Sequence, residues 1–170
     1  MSNAEINYIK VTRIDVKLTR ATICEIIKDG KILLQYKAAG KFGEGKWNGP
    51  GGKIKPNETP TEGVIREVRE ETGLNILDPE LNGVIDFYFG EKPEPDWITY
   101  VFRVTEFTGE LKPNDEGELS WINIEDIPYE DMWQDDEHWL PAFISGKKVK
   151  GTFWFNEEGT ELLRHELNIE

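Results

Sequence analysis

Three glutamates, Glu67, Glu70 and Glu71, stand at spacings of three and four residues in the segment GVIREVREETG. Residues at these spacings share one face of a helix, so the three carboxylates repel one another. The helix macrodipole disfavours negative charge near the C-terminal end, and Arg66, four residues before Glu70, offsets only part of the cost. Hard cations such as Mg²⁺ bind carboxylate oxygens and keep water and phosphate as further ligands. The cluster therefore predicts a helix face that holds a metal ion against a polyphosphate.

A solvated, charged helix face is the other interpretation of such a cluster, and it is the usual one for glutamates in arbitrary positions. The spacing of the surrounding residues favours the metal site. The segment fits the pattern G, five residues, E, seven residues, RE, an apolar residue, one residue, EE, one residue, G, an apolar residue. A chance match in a chain of this composition is on the order of one in 10⁵ or rarer. All nine fixed positions are present, namely Gly52, Glu58, Arg66, Glu67, Val68, Glu70, Glu71, Gly73 and Leu74.

The segment resembles the Nudix box, the catalytic signature of a superfamily of hydrolases. The resemblance implies an α/β/α sandwich with a mixed central sheet, in which a loop, a helix and a second loop present metal ligands to a nucleotide. It also implies hydrolysis of a phosphoanhydride bond in a nucleoside diphosphate that is linked to a further group. Bound metal ions would polarise the phosphoryl group and lower the pKa of the attacking water.

The same resemblance implies roles for individual residues of the box. It implies that Mg²⁺, or Mn²⁺ in its place, is bound by Glu67, Glu70 and Glu71. The carbonyl oxygen of Gly51 adds a ligand, and Arg66 orients the glutamates.

The residue that accepts the proton of the attacking water is left open by the sequence. Glu70 and Glu71 are candidates. Glu116 is a third, because it lies in the loop PNDEGE, where related enzymes place an additional metal-binding or basic glutamate. Glu58 is expected to support the loop before the helix.

Two further stretches, GKFGEGKWNGPGGK and IPYEDMWQDDEHWLP, resemble one branch of the superfamily, the animal oxidised-purine nucleoside triphosphatases. Members of this branch remove 8-oxo-dGTP and 2-hydroxy-dATP from the nucleotide pool. The similarity runs from Thr19 to the end of the chain, and it implies a base pocket formed by Asn48, Trp133, Asp135 and Asp136. The other predicted contacts to the base or the phosphates are Thr22, Lys37, Phe42, Gly51, Gly52, Lys53 and Phe87.

The residue types of this pocket suit a purine independently of the resemblance. Asn48 offers a donor and an acceptor to a purine edge, and Trp133 offers a stacking surface. Two adjacent buried aspartates cannot both stay ionised easily, so one of the pair Asp135 and Asp136 is expected to hold a proton and present a donor beside an acceptor. The alternative is that Trp133 and Trp139 are core anchors and that the aspartates cap a helix.

Gly117 marks a departure from that branch, whose members carry a bulky apolar pocket residue at the corresponding position. A glycine there is expected to leave space in the pocket, which Trp97 or a neighbouring residue could fill. Two other functions therefore remain open from the sequence. One is a Nudix hydrolase for other nucleotides, and the other is a nucleotide sensor that binds without catalysis.

Composition narrows the class of protein further. The 170 residues suit one domain, and 38% hydrophobic and 11% aromatic residues are typical of a folded globule. The net charge of −13 disfavours binding to polymeric DNA or RNA. Cys24 is the only cysteine, which excludes an internal disulfide and fits a reducing cytoplasm. No stretch is long and apolar enough to cross a bilayer, and no signal peptide is evident. The sequence does not indicate an oligomeric state.

The secondary structure that must position these residues is a mixture of strands and helices, predicted as one α/β domain over residues 19–170 after an N-terminal extension, residues 1–18. The clearest helix starts after the N-cap Thr59, with Glu62 closing a capping box, and stops at Gly73. The Gly40–Gly52 stretch is expected to be a ligand-facing loop. Strands are predicted at 19–27, 31–37, 84–89, 97–104, 119–122, 149–155 and 162–167, and a short helix within 130–145.

Overall fold

An eight-stranded mixed sheet forms the centre of the protein, whose computed structural model describes residues 18–170. The predicted N-terminal extension, residues 1–18, lies outside the described residues except for Leu18. The strands in residues 18–170 are β1 (Thr19–Lys28), β2 (Lys31–Lys37), β3 (Trp47–Asn48), β4 (Asn75–Leu77), β5 (Glu80–Phe89), β6 (Trp97–Val104), β7 (Glu106–Thr108), β8 (Gly117–Asn123), β9 (Val149–Phe155) and β10 (Leu162–Ile169). The helices are α1 (Pro60–Thr72), α2 (Asp136–Ile144) and two 3-10 turns, Ile124–Asp126 and Tyr129–Asp131.

The strand order of the main sheet is β10-β9-β5-β6-β1-β2-β3, with β8 also paired to β2. Strand β1 runs parallel to β6, and β5 runs parallel to β9, whereas the other neighbours are antiparallel. Strands β4 and β7 form a separate two-stranded sheet. The arrangement confirms the predicted mixed α/β class. Within residues 18–170, no helix has the length and apolar character needed to span a membrane.

Helix α1 begins and ends where local signals in the sequence predict. The side chain of Thr59 accepts a hydrogen bond from the backbone amide of Glu62, and a proline occupies the first turn. Gly73 ends the helix in the left-handed region with a φ of 81°, a conformation that is cheap for glycine. Val64 and Val68 are fully buried, so the opposite, acidic face of the helix is left for the cavity described below.

Two apolar cores lie on opposite faces of the sheet, because successive side chains of a strand point to opposite sides. Cys24 and Ile26 of β1 pack in one cluster with Val68 of α1. Ile27 packs in the other cluster with Trp139 of α2. The two helices therefore cover the two faces, as the predicted α/β/α sandwich requires.

Three short strands were not predicted from the sequence. Strand β3 lies inside the predicted loop Gly40–Gly52, where Trp47 and Asn48 pair with Tyr36 and Gln35 of β2. Strands β4 and β7 pair only with each other. Runs of two or three residues carry no detectable period, so the partner strand determines them rather than the local sequence.

Replacement of Thr59 by alanine is expected to lower the free energy of unfolding by about 1 kcal/mol, because the amide of Glu62 loses its acceptor. Thr59→Ser, which keeps a hydroxyl group, is the matched control and should remain close to the original stability. Equilibrium urea denaturation measures both variants. Equal stability of the alanine and serine variants would show that the hydroxyl does not stabilise α1.

Candidate active site

A cavity of about 500 Å³ lies beside β1, and most of the site residues predicted from the sequence line it. The loop after β3 crosses β1 at its floor, where the amides of Thr22 and Cys24 donate to the carbonyl oxygens of Gly52 and Pro50. A side chain at Gly51 would collide with the Thr22 carbonyl, so glycine is needed for this close approach. The predicted residues in its wall are Thr22, Lys37, Phe42, Asn48, Gly51, Gly52, Lys53, Glu67, Glu71, Phe87, Glu116, Trp133, Asp135 and Asp136.

Glu71 is the most deeply placed acid at one end of the cavity. Its side chain accepts a hydrogen bond of 3.1 Å from the amide of Gly51, and the ammonium group of Lys37 lies 4.0 Å away. Burial raises the pKa of Glu71 to about 7 against the opposing effects of Lys37 and Gly51, and the charges of Glu67 and Glu116 raise it further. This end therefore concentrates negative charge that the chain neutralises only partly.

Arg66 binds three of the four acids of the box. Its Nη1 donates to Glu67 at 2.8 Å and to Glu70 at 3.2 Å, while Nε and Nη2 donate to the carboxylate of Glu58 at 2.6 and 2.8 Å. The hydrogen bonds from Arg66 and from the amide of Lys55 lower the pKa of Glu58 to about 2. Glu58 thus fastens the loop before α1 to the arginine that orients the glutamates.

Glu70 and Glu116 have different surroundings from Glu71. The side chain of Glu70 is 57% exposed, pairs with Arg66, and does not line the cavity. Glu116 lies at the cavity wall, 3.1 Å from Lys41 and 3.9 Å from Lys37. In residues 18–170 no three acidic, histidine or cysteine side chains form a cluster arranged to hold a metal ion.

Asn114 was missed by the sequence analysis although it positions Glu116. Its side-chain amide donates to the backbone carbonyl of Glu71, and its side-chain oxygen accepts from the amide of Glu116 at 2.7 Å. The residue therefore ties the loop before β8 to the end of α1. No local pattern indicates such a role, because its two partners lie on different elements.

The donor set at this end fits a hard divalent cation. Carboxylate oxygens of Glu67, Glu71 and Glu116 line the wall, and oxygen ligands of this kind are those that Mg²⁺ prefers. Burial, followed by the charges of Glu67 and Glu116, raises the pKa of Glu71, and a cation bound here would favour its ionised form.

Asp135 and Asp136 form the opposite end of the cavity and are 2% and 3% exposed. Asp135 accepts a hydrogen bond of 2.9 Å from the indole of Trp139, and burial raises its pKa to about 6. Burial, followed by the charges of Asp135 and Glu25, raises the pKa of Asp136 well above its ordinary value. Burial therefore favours the protonated form of both aspartates, and the expectation that one of the pair holds a proton stays a prediction.

The interpretation of the two tryptophans as core anchors is correct for Trp139, which is 1% exposed, and holds in part for Trp133, which is partly buried and packs against the same core cluster. Asp135 occupies the N-cap position of α2, but its side chain caps no backbone amide there. Trp133 lies at the cavity wall. The aspartates are consequently not explained by helix capping.

An aromatic stack closes one side of the cavity. The ring of Phe42 lies between the rings of Trp97 and Trp133, with centroid distances of 5.1 and 5.4 Å. Trp97 lines the cavity, whereas Gly117 does not. A side chain at Gly117 would collide with the carbonyl oxygen of Tyr36, so the expectation that Gly117 leaves open space in the pocket is wrong.

Glu25 is a second residue that the sequence analysis missed. It lies in the middle of β1 and is only 1% exposed, and burial raises its pKa to about 8. Its carboxylate sits directly behind Gly49, because a Cβ atom there would come within 2.9 Å of Oε1. The available signal was a single charged residue inside the otherwise apolar run of the TICEIIK strand.

Comparisons with known proteins agree with this geometry. Residues 17–143 match the family described as NUDIX domain. The chain is 36% identical over 148 residues to the oxidized purine nucleoside triphosphate hydrolase of Danio rerio, covering 86% of this chain and 92% of that protein. It is also 36% identical over 155 residues to the uncharacterized Nudix hydrolase YvcI of Bacillus subtilis, covering 89% and 95%. A crystal structure of a mutator MutT protein from Bacillus halodurans superposes with a TM-score of 0.77 at 30% identity, covering 88% and 97%.

Gly52→Ala is expected to reduce kcat for nucleotide hydrolysis by about tenfold to a hundredfold, because displacement of a catalytic group by about an ångström has effects of this size. The added Cβ atom would lie 2.6 Å from the Cδ atom of Glu67, which must move. Gly30→Ala is the control, since that glycine lies in the β1–β2 turn with nothing within 4 Å of its Cβ position.

The control variant should lose thermal stability because Gly30 has a φ of 74°, yet keep its kcat. Steady-state kinetics and thermal denaturation of both variants give the comparison. A Gly52→Ala enzyme with unchanged kcat would mean that the position of Glu67 does not matter.

Proposed function

The chain belongs to the Nudix hydrolase family, and on that premise we propose that it hydrolyses oxidised purine nucleoside triphosphates to the monophosphate and pyrophosphate in the presence of Mg²⁺. The substrates we propose are 8-oxo-dGTP and 2-hydroxy-dATP, whose removal would sanitise the nucleotide pool. The observation that carries the proposal is the buried pair Asp135 and Asp136, which faces the same cavity as the carboxylates of α1. The name of the Danio rerio relative supports it.

The metal end of the proposed site consists of Glu67, Glu70 and Glu71, the carbonyl of Gly51, and Glu116. Bound Mg²⁺ would supply charge stabilisation for the phosphoryl group and a more acidic attacking water. Glu67, Glu71 and Glu116 face the cavity, while Glu70 pairs with Arg66 and would have to give up that contact to bind the cation.

The chain's own side chains then orient the reactants. Arg66 donates to Glu67 through Nη1 and to Glu58 through Nε, and these hydrogen bonds keep both carboxylates oriented. Lys37 lies near both Glu71 and Glu116 and can neutralise part of the phosphate charge. The carboxylates that face the cavity, Glu71 and Glu116, are placed to accept the proton of the attacking water.

At the end of the cavity formed by Asp135 and Asp136, one hydrogen-bond donor and one acceptor recognise the purine. Asp135 keeps its charge more easily because the indole of Trp139 donates to it, whereas Asp136 has its pKa raised further and holds the proton. Asn48 adds an amide, and Trp133 adds a flat surface against which a base can stack. An oxo group on a purine changes its hydrogen-bond pattern, and exchange of one proton within the pair would allow more than one oxidised purine to fit.

A substrate panel tests the proposal. The protein with Mg²⁺ is expected to hydrolyse 8-oxo-dGTP and 2-hydroxy-dATP with kcat/KM at least about tenfold above dGTP and dATP, because buried polar groups left unpaired penalise the wrong base. Glu71→Gln should reduce turnover by about a hundredfold or more. Glu106→Gln, which alters an exposed acid on β7, is the control. Chromatography of the products distinguishes pyrophosphate release from phosphate release.

Other outcomes of the panel would replace the proposed function. Equal turnover of oxidised and ordinary purines would indicate a Nudix pyrophosphohydrolase for other nucleotides. Tight nucleotide binding without turnover would indicate a sensor.

Asp135→Asn and Asp136→Asn are expected to have unequal effects on 8-oxo-dGTP hydrolysis. Loss of the charged acceptor in Asp135→Asn should reduce kcat/KM by about tenfold or more. An amide at position 136 still donates a hydrogen bond, as the protonated acid does, so Asp136→Asn should cost about threefold or less. Kinetics near pH 7 measure both, and small, equal effects would remove the pair from the pocket.

A further inference from the structure

Lys41 is a cationic residue of the cavity to which the sequence analysis gave no role. It lies in the glycine-rich segment between β2 and β3, and its side chain lines the cavity. Its ammonium nitrogen lies 3.1 Å from Oε1 of Glu116, whereas that of Lys37 lies 3.9 Å from Oε2 of the same carboxylate. Two lysines therefore approach an acid at the metal end of the site, and Lys41 makes the closer contact.

The next residue in the chain contacts the other end of the cavity. Phe42 stacks on Trp133, with the ring centroids 5.4 Å apart. Successive residues of one loop thus contact a carboxylate at the metal end and the stacking surface of the base pocket. A nucleotide carries its phosphates and its base at opposite ends of one small molecule, so a nucleotide bound in the cavity would lie alongside this loop.

Hydrogen bonds hold the backbone of the loop independently of the Lys41 side chain. The amide of Lys37 donates to the carbonyl oxygen of Lys46 at 3.0 Å, and the amide of Gly45 donates to that of Lys37 at 3.1 Å. The carbonyl oxygen of Lys41 accepts from the amide of Glu44 at 3.0 Å. Because the stem of a lysine is long and flexible, its ammonium group can reach a new partner while the loop stays in place.

The ion pair between Lys41 and Glu116 is one that a ligand can replace. The two side chains are 41% and 35% exposed, and exposed ion pairs contribute little to stability. A divalent cation bound to Glu116 would compensate the carboxylate in place of the ammonium group, and the two positive charges would repel each other. Lys41 would then lack an anion, and the phosphates that share the cation are the anions nearest to it.

We propose that Lys41 is a phosphate-binding residue, which leaves Glu116 when a divalent cation binds there and then pairs with the phosphate chain of the nucleotide. The inference deepens the proposed function and rests on it, because the phosphates belong to the nucleotide that the cavity would bind. Lys41 competes with the cation for Glu116 in the nucleotide-free protein. Once the cation is in place, the same side chain strengthens binding of the nucleotide.

Attachment of the loop to Glu116 is the alternative role for this ion pair. A pair that only fastened the loop would affect thermal stability, and its loss would weaken binding of triphosphates and monophosphates alike. A contact with the phosphate chain depends instead on the phosphates that the ligand carries, because each adds negative charge for the ammonium group. Comparison of a nucleoside triphosphate with the monophosphate product therefore separates the two roles.

Titration of the nucleotide-free proteins with Mn²⁺, followed by electron paramagnetic resonance, tests the competition for Glu116. Lys41→Gln should bind Mn²⁺ about twofold or more tightly than the original protein, because an exposed ion pair no longer competes. Lys41→Arg keeps the charge and should not bind Mn²⁺ more tightly. Lys147→Gln, which alters an exposed lysine away from the cavity, is the control for net charge. Unchanged or weaker binding of Mn²⁺ by Lys41→Gln would overturn the inference.

Nucleotide binding tests the contact with phosphate. For Lys41→Gln, the Kd of an α,β-methylene analogue of 8-oxo-dGTP should rise by about threefold or more, while that of 8-oxo-dGMP changes by less than about twofold. KM for 8-oxo-dGTP should rise with little change in kcat, because the contact serves the bound substrate and the transition state equally. Lys41→Arg should retain most of the affinity. Equal weakening of both nucleotides, or an unchanged Kd for the triphosphate analogue, would contradict the phosphate contact.

Failure of the proposed function has a different signature. Equal turnover of 8-oxo-dGTP and dGTP by the original protein would refute the preference for oxidised purines. The Mn²⁺ titration does not involve a nucleotide, and the comparison of triphosphate with monophosphate can be repeated with dGTP analogues and dGMP. These two measurements would then decide the role of Lys41 by themselves.

Discussion

Buried negative charge is the constraint around which the cavity is built. A carboxylate removed from water must find a cation, a hydrogen-bond donor or a proton. At the end formed by α1, Arg66 and Lys37 compensate part of the charge and leave Glu71 with a raised pKa. At the end formed by α2, burial and the charges of Asp135 and Glu25 raise the pKa of Asp136 well above its ordinary value, which favours its protonated form. One cavity therefore combines an end suited to cations with an end suited to hydrogen bonding.

The fold brings these two ends together although they belong to helices on opposite faces of the sheet. The loop after β3 crosses β1 through hydrogen bonds to Thr22 and Cys24, and Gly49 and Gly51 allow the backbones to approach. Side chains from both layers thus meet at the crossing rather than through the sheet. Neither core would be disturbed by chemistry in the cavity, because Val68 on one side and Trp139 on the other stay fully packed.

Local signals explain what could be predicted from the sequence. The ends of α1 follow from Thr59 and Gly73, and the acid pair was recognisable because Asp135 and Asp136 are adjacent. Glu25 and Asn114 escaped notice because Gly49, which lies against Glu25, and Glu71, whose carbonyl accepts from Asn114, are distant from them in the chain. The prediction of open space at Gly117 was wrong for a similar reason. The backbone of β2 occupies that side of the glycine, and no pattern within one segment reports the presence of a neighbouring strand.

The stack formed by Phe42 with Trp97 and Trp133 affects how a base would enter. Phe42 is 63% exposed and follows Gly40, which has a φ of 81°. Its ring stacks on the ring of Trp133, with the centroids 5.4 Å apart. An arriving purine that stacks on Trp133 would exchange one flat ring for another. The free energy gained on entry is then the difference between two ring contacts, so selectivity must come from the polar edge of the base rather than from its apolar surface.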